Sequence, residues 1–98
     1  MYPEQGYTCQ VVYNVVTKKK VLKGIRKLPL WVQKKMAALA NDLKEKGPEQ
    51  QNWQNYSKLS KTEYHCHLGT SWVACWKHEK GTIIIEVYYV GSREKAPY

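Results

Sequence analysis

His65 and His67 are the residues of this chain whose type and spacing best suit chemistry. They lie two apart in Thr62-Glu63-Tyr64-His65-Cys66-His67-Leu68, a run with the composition of a β-strand. Alternate strand residues share a face, so the two imidazoles stand together while Tyr64, Cys66 and Leu68 point the other way. Histidine titrates nearest neutrality, which fits such a pair for taking and giving protons. Metal binding is the rival use, since Cys66, Cys75 and His78 lie close by in sequence. Cys66 cannot readily join His65 and His67 at one ion, although His65, His67 and Cys75 could share a face. No ligand pair of zinc-finger type occurs, so neither a metal nor a cofactor is expected. The plainest alternative is a pair of exposed strand histidines with no role.

The surrounding pattern supplies the elements that hold the pair. After Gly69-Thr70-Ser71 comes a second run, Trp72 to Lys77, then a turn at His78-Glu79-Lys80-Gly81, then the β-prone stretch Thr82 to Val90. Gly-containing loops of hairpin length separate the three, which predicts an antiparallel meander. A three-residue loop at Gly69–Ser71 sets Leu68 against Trp72, His67 against Val73, Cys66 against Ala74 and His65 against Cys75. Trp72 and Trp76 then fall on the buried side, whereas a two-residue loop would place both on the histidine side. Burying two tryptophans favours the first register and leaves the histidines on the sheet face away from the helices.

Upstream, Tyr7 to Val16 has Cys9, Val11, Tyr13 and Val15 on one parity, as expected of a strand against a core. Thr17 is the predicted N-cap of a helix striped by Val21, Leu22, Ile25 and Leu28. Leu28-Pro29 breaks it. A second helix starts near Pro29, repeats Val32, Met36, Leu39, Ala40 and Leu43, and ends at Gly47-Pro48. With so short a link the two should form an antiparallel hairpin. Glu49 to Lys61 is a long Gln/Asn-rich loop in which Trp53 is expected to anchor against the core. The first strand returns only after the helices, so it should lie parallel to a meander strand, with the last one expected. The predicted architecture is α+β in the order βααβββ: a two-helix hairpin on one face of a small, mainly antiparallel four-stranded sheet, in one domain spanning residues 1–98.

With 98 residues and a net charge of +8, the chain suits a polyanionic partner. The charge is concentrated: Lys18, Lys19, Lys20, Lys23, Arg26, Lys27, Lys34 and Lys35 occur with no carboxylate among them. No apolar core follows a basic start, so no secretory signal is expected, and no run reaches membrane-spanning length. Cys9, Cys66 and Cys75, odd in number and without CxxC spacing, read as reduced thiols of a cytoplasmic protein.

The βααβββ order, the Leu28-Pro29 break, Leu59-Ser60 entering the meander, the Tyr64-to-Trp76 hairpin and the ending Val90-Gly91-Ser92-Arg93-Glu94 together resemble the RelE/ParE toxin superfamily. The resemblance covers nearly the whole chain. It implies the toxin of a type II toxin-antitoxin system, acting as a ribosome-dependent mRNA endonuclease without a metal. The alternatives are a non-enzymatic inhibitor of DNA gyrase, as in the ParE branch, and a degenerate member that only binds nucleic acid. Cleavage of this kind needs a base for the 2′-hydroxyl, positive charge at the phosphate and an acid for the leaving oxygen. By resemblance, His67 is the base or acid, His65 its neighbour in the site, Arg93 the phosphate-binding or catalytic cation, and Tyr98 the terminal aromatic. RNA contacts fall to Lys58, Lys61 and Lys95, with Lys18, Lys19 and Lys20 on the first helix. Many relatives carry an arginine on the second meander strand where this chain has Val73. Transition-state charge would therefore rest on Arg93, Lys95, Lys58 or Lys61. The implied partners are a cognate antitoxin, the ribosome and mRNA, and operator DNA through the antitoxin complex, with no membrane.

Overall fold

The structure is a computed structural model and describes residues 12–98. Its elements are β1 (Asn14–Thr17), α1 (Lys19–Arg26), α2 (Leu30–Lys46), β2 (Ser57–Lys58), β3 (Glu63–His67), β4 (Trp72–His78) and β5 (Ile84–Ser92), followed by a 3₁₀ turn at Arg93–Lys95. They build one mixed sheet in the order β1-β5-β4-β3-β2. β1 runs parallel to β5, and the other pairs are antiparallel.

The meander register follows from burying the tryptophans. His67 pairs with Val73, Cys66 with Ala74 and His65 with Cys75, and Leu68 N donates to Trp72 O at 2.9 Å across the three-residue turn. Tyr64, Cys66, Leu68, Ala74 and Trp76 face the helices, whose Val32, Met36, Leu39 and Leu43 complete the core together with Ile85, Val87 and Val90. Val21, Ile25 and Leu28 pack against the same cluster, so both helices cover one face. Tyr13 and Val15 join it too, while Val12 and Val16 are exposed, as the parity of the first strand requires.

The sheet has five strands, not four. Ser57 and Lys58 add the extra edge strand β2, pairing with His65 and Tyr64. Two residues are too few to show an alternation, so nothing in the sequence marks them. Thr17 is not the helix cap: it is the last residue of β1, and Lys18 caps α1 without a side-chain hydrogen bond. Leu22 leaves the predicted stripe and is exposed. Pro29 is the N-cap of α2 rather than its first helical residue. β5 runs Ile84–Ser92 instead of Thr82 to Val90, because Thr82 is held in the preceding turn by two bonds to Glu79 O. The part of the predicted first strand from Tyr7 to Val11, with Cys9, lies outside the described residues.

Two loop contacts lock the frame. Gln33 Nε2 donates to Leu28 O at 2.8 Å, closing the link between the helices. Buried Gln50 donates to Gly47 O at 2.7 Å and Asp42 O at 3.1 Å, tying the loop back to the end of α2. Trp53 anchors its loop as expected, its indole N–H donating to Asp42 Oδ2 at 2.8 Å.

Candidate functional site

The face of the sheet away from the helices carries His65 and His67, but it is not an open surface. The two residues retain 7% and 8% of their accessible area, which corrects the expectation of exposed strand histidines. The cover comes from β2 and the residues before it. Because Ser57 pairs with His65 in the ladder, its side chain lies on the same face, and Ser57 Oγ sits 2.9 Å from His65 Nδ1. One step further along, His67 N donates to Gln54 O at 2.8 Å, and the Asn55 side-chain amide reaches His67 Nδ1 at 3.3 Å. Asn55 attains that position with φ at 52°, a left-handed conformation that asparagine tolerates better than most residues.

Both rings are thus held through Nδ1, with their centroids 5.7 Å apart. In the arrangement shown, Asn55 Nδ2 donates to His67 Nδ1, which leaves the proton of the neutral ring on Nε2. The amide rotated by half a turn would accept from Nδ1–H through Oδ1 and free the Nε2 lone pair. Burial holds both imidazoles below the ordinary histidine range. For His65 the Ser57 backbone works against this and the neighbouring His67 adds to it; for His67 the Arg93 charge adds to it. Neutral rings at physiological pH are the result.

Arg93 and Tyr98 are brought to the pair by the end of β5. Arg93 N donates to Ser71 O at 2.8 Å, and Ser92 Oγ accepts from Lys95 N, fixing the 3₁₀ turn beside the β3–β4 hairpin. The chain then returns so that the Tyr98 ring lies 4.5 Å from the His65 ring, centroid to centroid. Burial raises the Tyr98 phenol above its usual range, with the Arg93 charge pulling the other way, so the hydroxyl keeps its proton. Two of the predicted site residues therefore flank the histidines. Lys95 sits exposed on the same turn.

A bulge completes the face. The β4–β5 register shifts between Cys75 and Trp76, so Cys75 pairs with Tyr89, Trp76 with Val87, and Tyr88 is the extra residue. Tyr89 folds back over Gly91 to donate to Ser92 O at 2.7 Å. Cys75 is fully buried here and burial pushes its thiol up to about 12, as it does that of Cys66 on the other face. Neither is a nucleophile at neutral pH. Val73, where an arginine was absent in sequence, is also fully buried. Among the described residues no cluster of three His, Cys, Asp or Glu side chains has metal-binding geometry. His78 belongs to the helix-side face, where its ring meets Tyr13 edge-on.

Ser57, Asn55 and Tyr88 escaped the sequence reading, since a two-residue strand and a bulge leave no periodic signal. Two other expected residues sit elsewhere. Lys58 lies over the Tyr64 ring on the helix side, and Lys61 opens onto the same side, away from the histidines. Lys18 is engaged with Glu86 at 3.1 Å, whereas Lys19 and Lys20 are exposed. Lys35 of α2 shares a groove of about 320 Å³ with His67, Asn52 and Gln54.

No protein-family model matches the sequence, and no curated protein matches it either. Solved structures do. The archaeal RelE–RelB complex from Pyrococcus horikoshii OT3 aligns with a TM-score of 0.70 at 16% identity, over 88% of this chain and 100% of the matched one. A mutant of the E. coli toxin RelE in the free state gives 0.68 at 18% identity, over 88% of each chain. The E. coli DinJ–YafQ toxin-antitoxin complex gives 0.68 at 12% identity, over 90% of this chain and 100% of the other. The fold is α+β and RelE-like: two helices on a mixed five-stranded open sheet. No helix among the described residues is long and apolar enough to cross a membrane.

Proposed function

We propose that this chain is the toxin of a type II toxin-antitoxin pair and that it cuts mRNA on the ribosome by metal-independent acid–base chemistry. The observation that carries the proposal is the pair of neutral histidines, each held through Nδ1 by a loop side chain, beside the Arg93 charge and the Tyr98 hydroxyl. The names of the structural neighbours support the toxin role, and those solved with RelB and DinJ support a cognate antitoxin as partner.

In this reading neutral His67 takes the proton of the 2′-hydroxyl at Nε2, with the Asn55 amide turned to accept from Nδ1–H. The 2′-oxygen forms its bond to phosphorus while the bond to the 5′-oxygen breaks. The departing oxygen receives a proton from the Tyr98 hydroxyl, leaving a 2′,3′-cyclic phosphate and a 5′-hydroxyl. Arg93 supplies the positive charge that the pentavalent phosphorane needs. His65, tied to Ser57, backs Tyr98. Lys95, Lys35, Lys19 and Lys20 are left to hold the phosphates of mRNA and ribosomal RNA.

Primer extension on cellular mRNA after induction tests this directly. In-frame cuts are expected with the native chain. His67→Gln should lower cleavage by about a hundred-fold or more, the usual share of a general base, and Arg93→Ala by about a hundred-fold. DNA damage without mRNA cuts, or full growth arrest by a folded His67→Gln, Arg93→Ala double variant, would replace the reading with inhibition of gyrase.

A further inference from the structure

Among the described residues, the helix-side face of the sheet beyond the end of α2 forms a cleft of about 380 Å³. That size lies within the range of small-ligand sites, about 300–1,000 Å³. Four lysines from four separate parts of the chain line it: Lys46 at the end of α2, Lys58 of β2, Lys61 of the following loop and Lys80 of the β4–β5 turn. No sequence run announces them. Among the described residues Glu49 is the one carboxylate in the lining, and Lys46 has a further one, Asp42, at 4.0 Å. Ring surface at the base comes from half-buried Tyr13 and His78, edge to face at 5.7 Å, while the neighbouring Tyr64 ring is buried in the core and has the Lys58 ammonium 5.5 Å from its centroid.

We propose that this cleft binds the backbone of a single-stranded nucleic acid, its phosphates between the lysines and a base against the aromatic floor. Four lysines converging on one concavity, against two carboxylates among the described residues, create an anion site. Aromatic rings beneath such a funnel add stacking, the combination that suits single strands better than an acidic peptide. The cleft and the histidine site lie on opposite faces of β3, where Tyr64 and His65 are consecutive. The β2 edge, with Ser57 toward one face and Lys58 toward the other, is the short way round between them. This binding site does not depend on the cleavage reading, because occupancy is measured without any cut.

The test is fluorescence anisotropy of a labelled eight-nucleotide single-stranded RNA with the purified chain across a NaCl series. The variant K46Q/K58Q/K61Q/K80Q should lose at least about tenfold in affinity, and its salt slope should fall by about 0.7 for each lysine that faces a phosphate. The control K23Q/K27Q/K34Q/K44Q removes the same charge from exposed helix and linker positions and should lose clearly less. E49Q should bind more tightly, a change that misfolding cannot mimic. Equal losses in the two quadruple variants, with no gain in E49Q, would reduce the effect to net charge and overturn the proposal. Retained RNA binding with lost binding of a polyglutamate peptide would overturn it in favour of a protein partner.

Discussion

The 3.3 Å contact between Asn55 and His67 Nδ1 decides what that imidazole can do. Only with the amide oxygen turned inward does Nε2 carry a lone pair. Asn55→Asp would impose that state, since a carboxylate accepts from Nδ1–H and cannot donate. It would also favour the imidazolium and raise the pKa of His67 against the burial that now lowers it. A base must be deprotonated, so the acid limb of the cleavage profile should move to higher pH, with activity at pH 6 falling relative to pH 8. A pH–rate series in a reconstituted translation reaction reads this, and an unmoved limb would mean that His67 takes no proton. The pairing of His65 with His67 on one face was legible from strand alternation alone. Their burial was not, because it depends on Asn55 and Ser57, polar residues in a loop whose conformation no periodicity sets. For the same reason His67→Gln is a better probe than His67→Ala, which would leave a hole beneath the Asn55 amide.

At the scale of elements, α2 illustrates how one backbone position terminates a helix and shapes its surroundings. Gly47 has φ 93° and ψ −170°, a region essentially reserved for glycine, and a Cβ there would sit 2.9 Å from the Tyr13 ring. Gly47→Ala should cost about 1–3 kcal/mol in urea unfolding. A cost below a few tenths would show that the turn relaxes freely. The Gly47-Pro48 stop and the apolar stripes of both helices were readable because glycine and proline punctuate the backbone directly. The meander register was readable because Trp76 could be buried in only one of the two alignments. β2 and the Tyr88 bulge were not, since each is a departure from a repeat too short to carry one. The five-stranded sheet therefore differs from the predicted four by the element that covers the histidines.

Taken as a whole, the molecule carries its two buried histidines as a stability cost in acid. Folding lowers both pKa values, so below the unfolded value of about 6.5 the unfolded chain binds more protons than the native one. Stability is then full above that pH and falls as pH drops toward the folded values. Thermal melting between pH 7.5 and 5.5 should show a falling midpoint for the native chain and a flatter one for His65→Gln, His67→Gln. Equal slopes would assign the effect to other groups. The charge of +8 was legible in the sequence, but its layout was not: folding sets Lys18 on Glu86 and sends Lys58 and Lys61 to the far side of the sheet from the imidazoles.

The parallel pairing of Asn14 with Ile84 has a consequence in time. During synthesis β1 emerges before any strand able to hydrogen-bond it, and its ladder closes only when β5 has been made. Joining two segments so far apart in the chain costs roughly 4 kcal/mol of loop entropy, with no local contact to offset it beforehand. The helices can form early, being local, while β1 must wait until β5 has been made. His65, His67, Arg93 and Tyr98 all lie from residue 65 onward, so a half-made chain has neither the finished sheet nor the site. On the function proposed above, the ribosome making the chain meets no assembled site, and a partner protein already present would have the whole interval of folding in which to bind it.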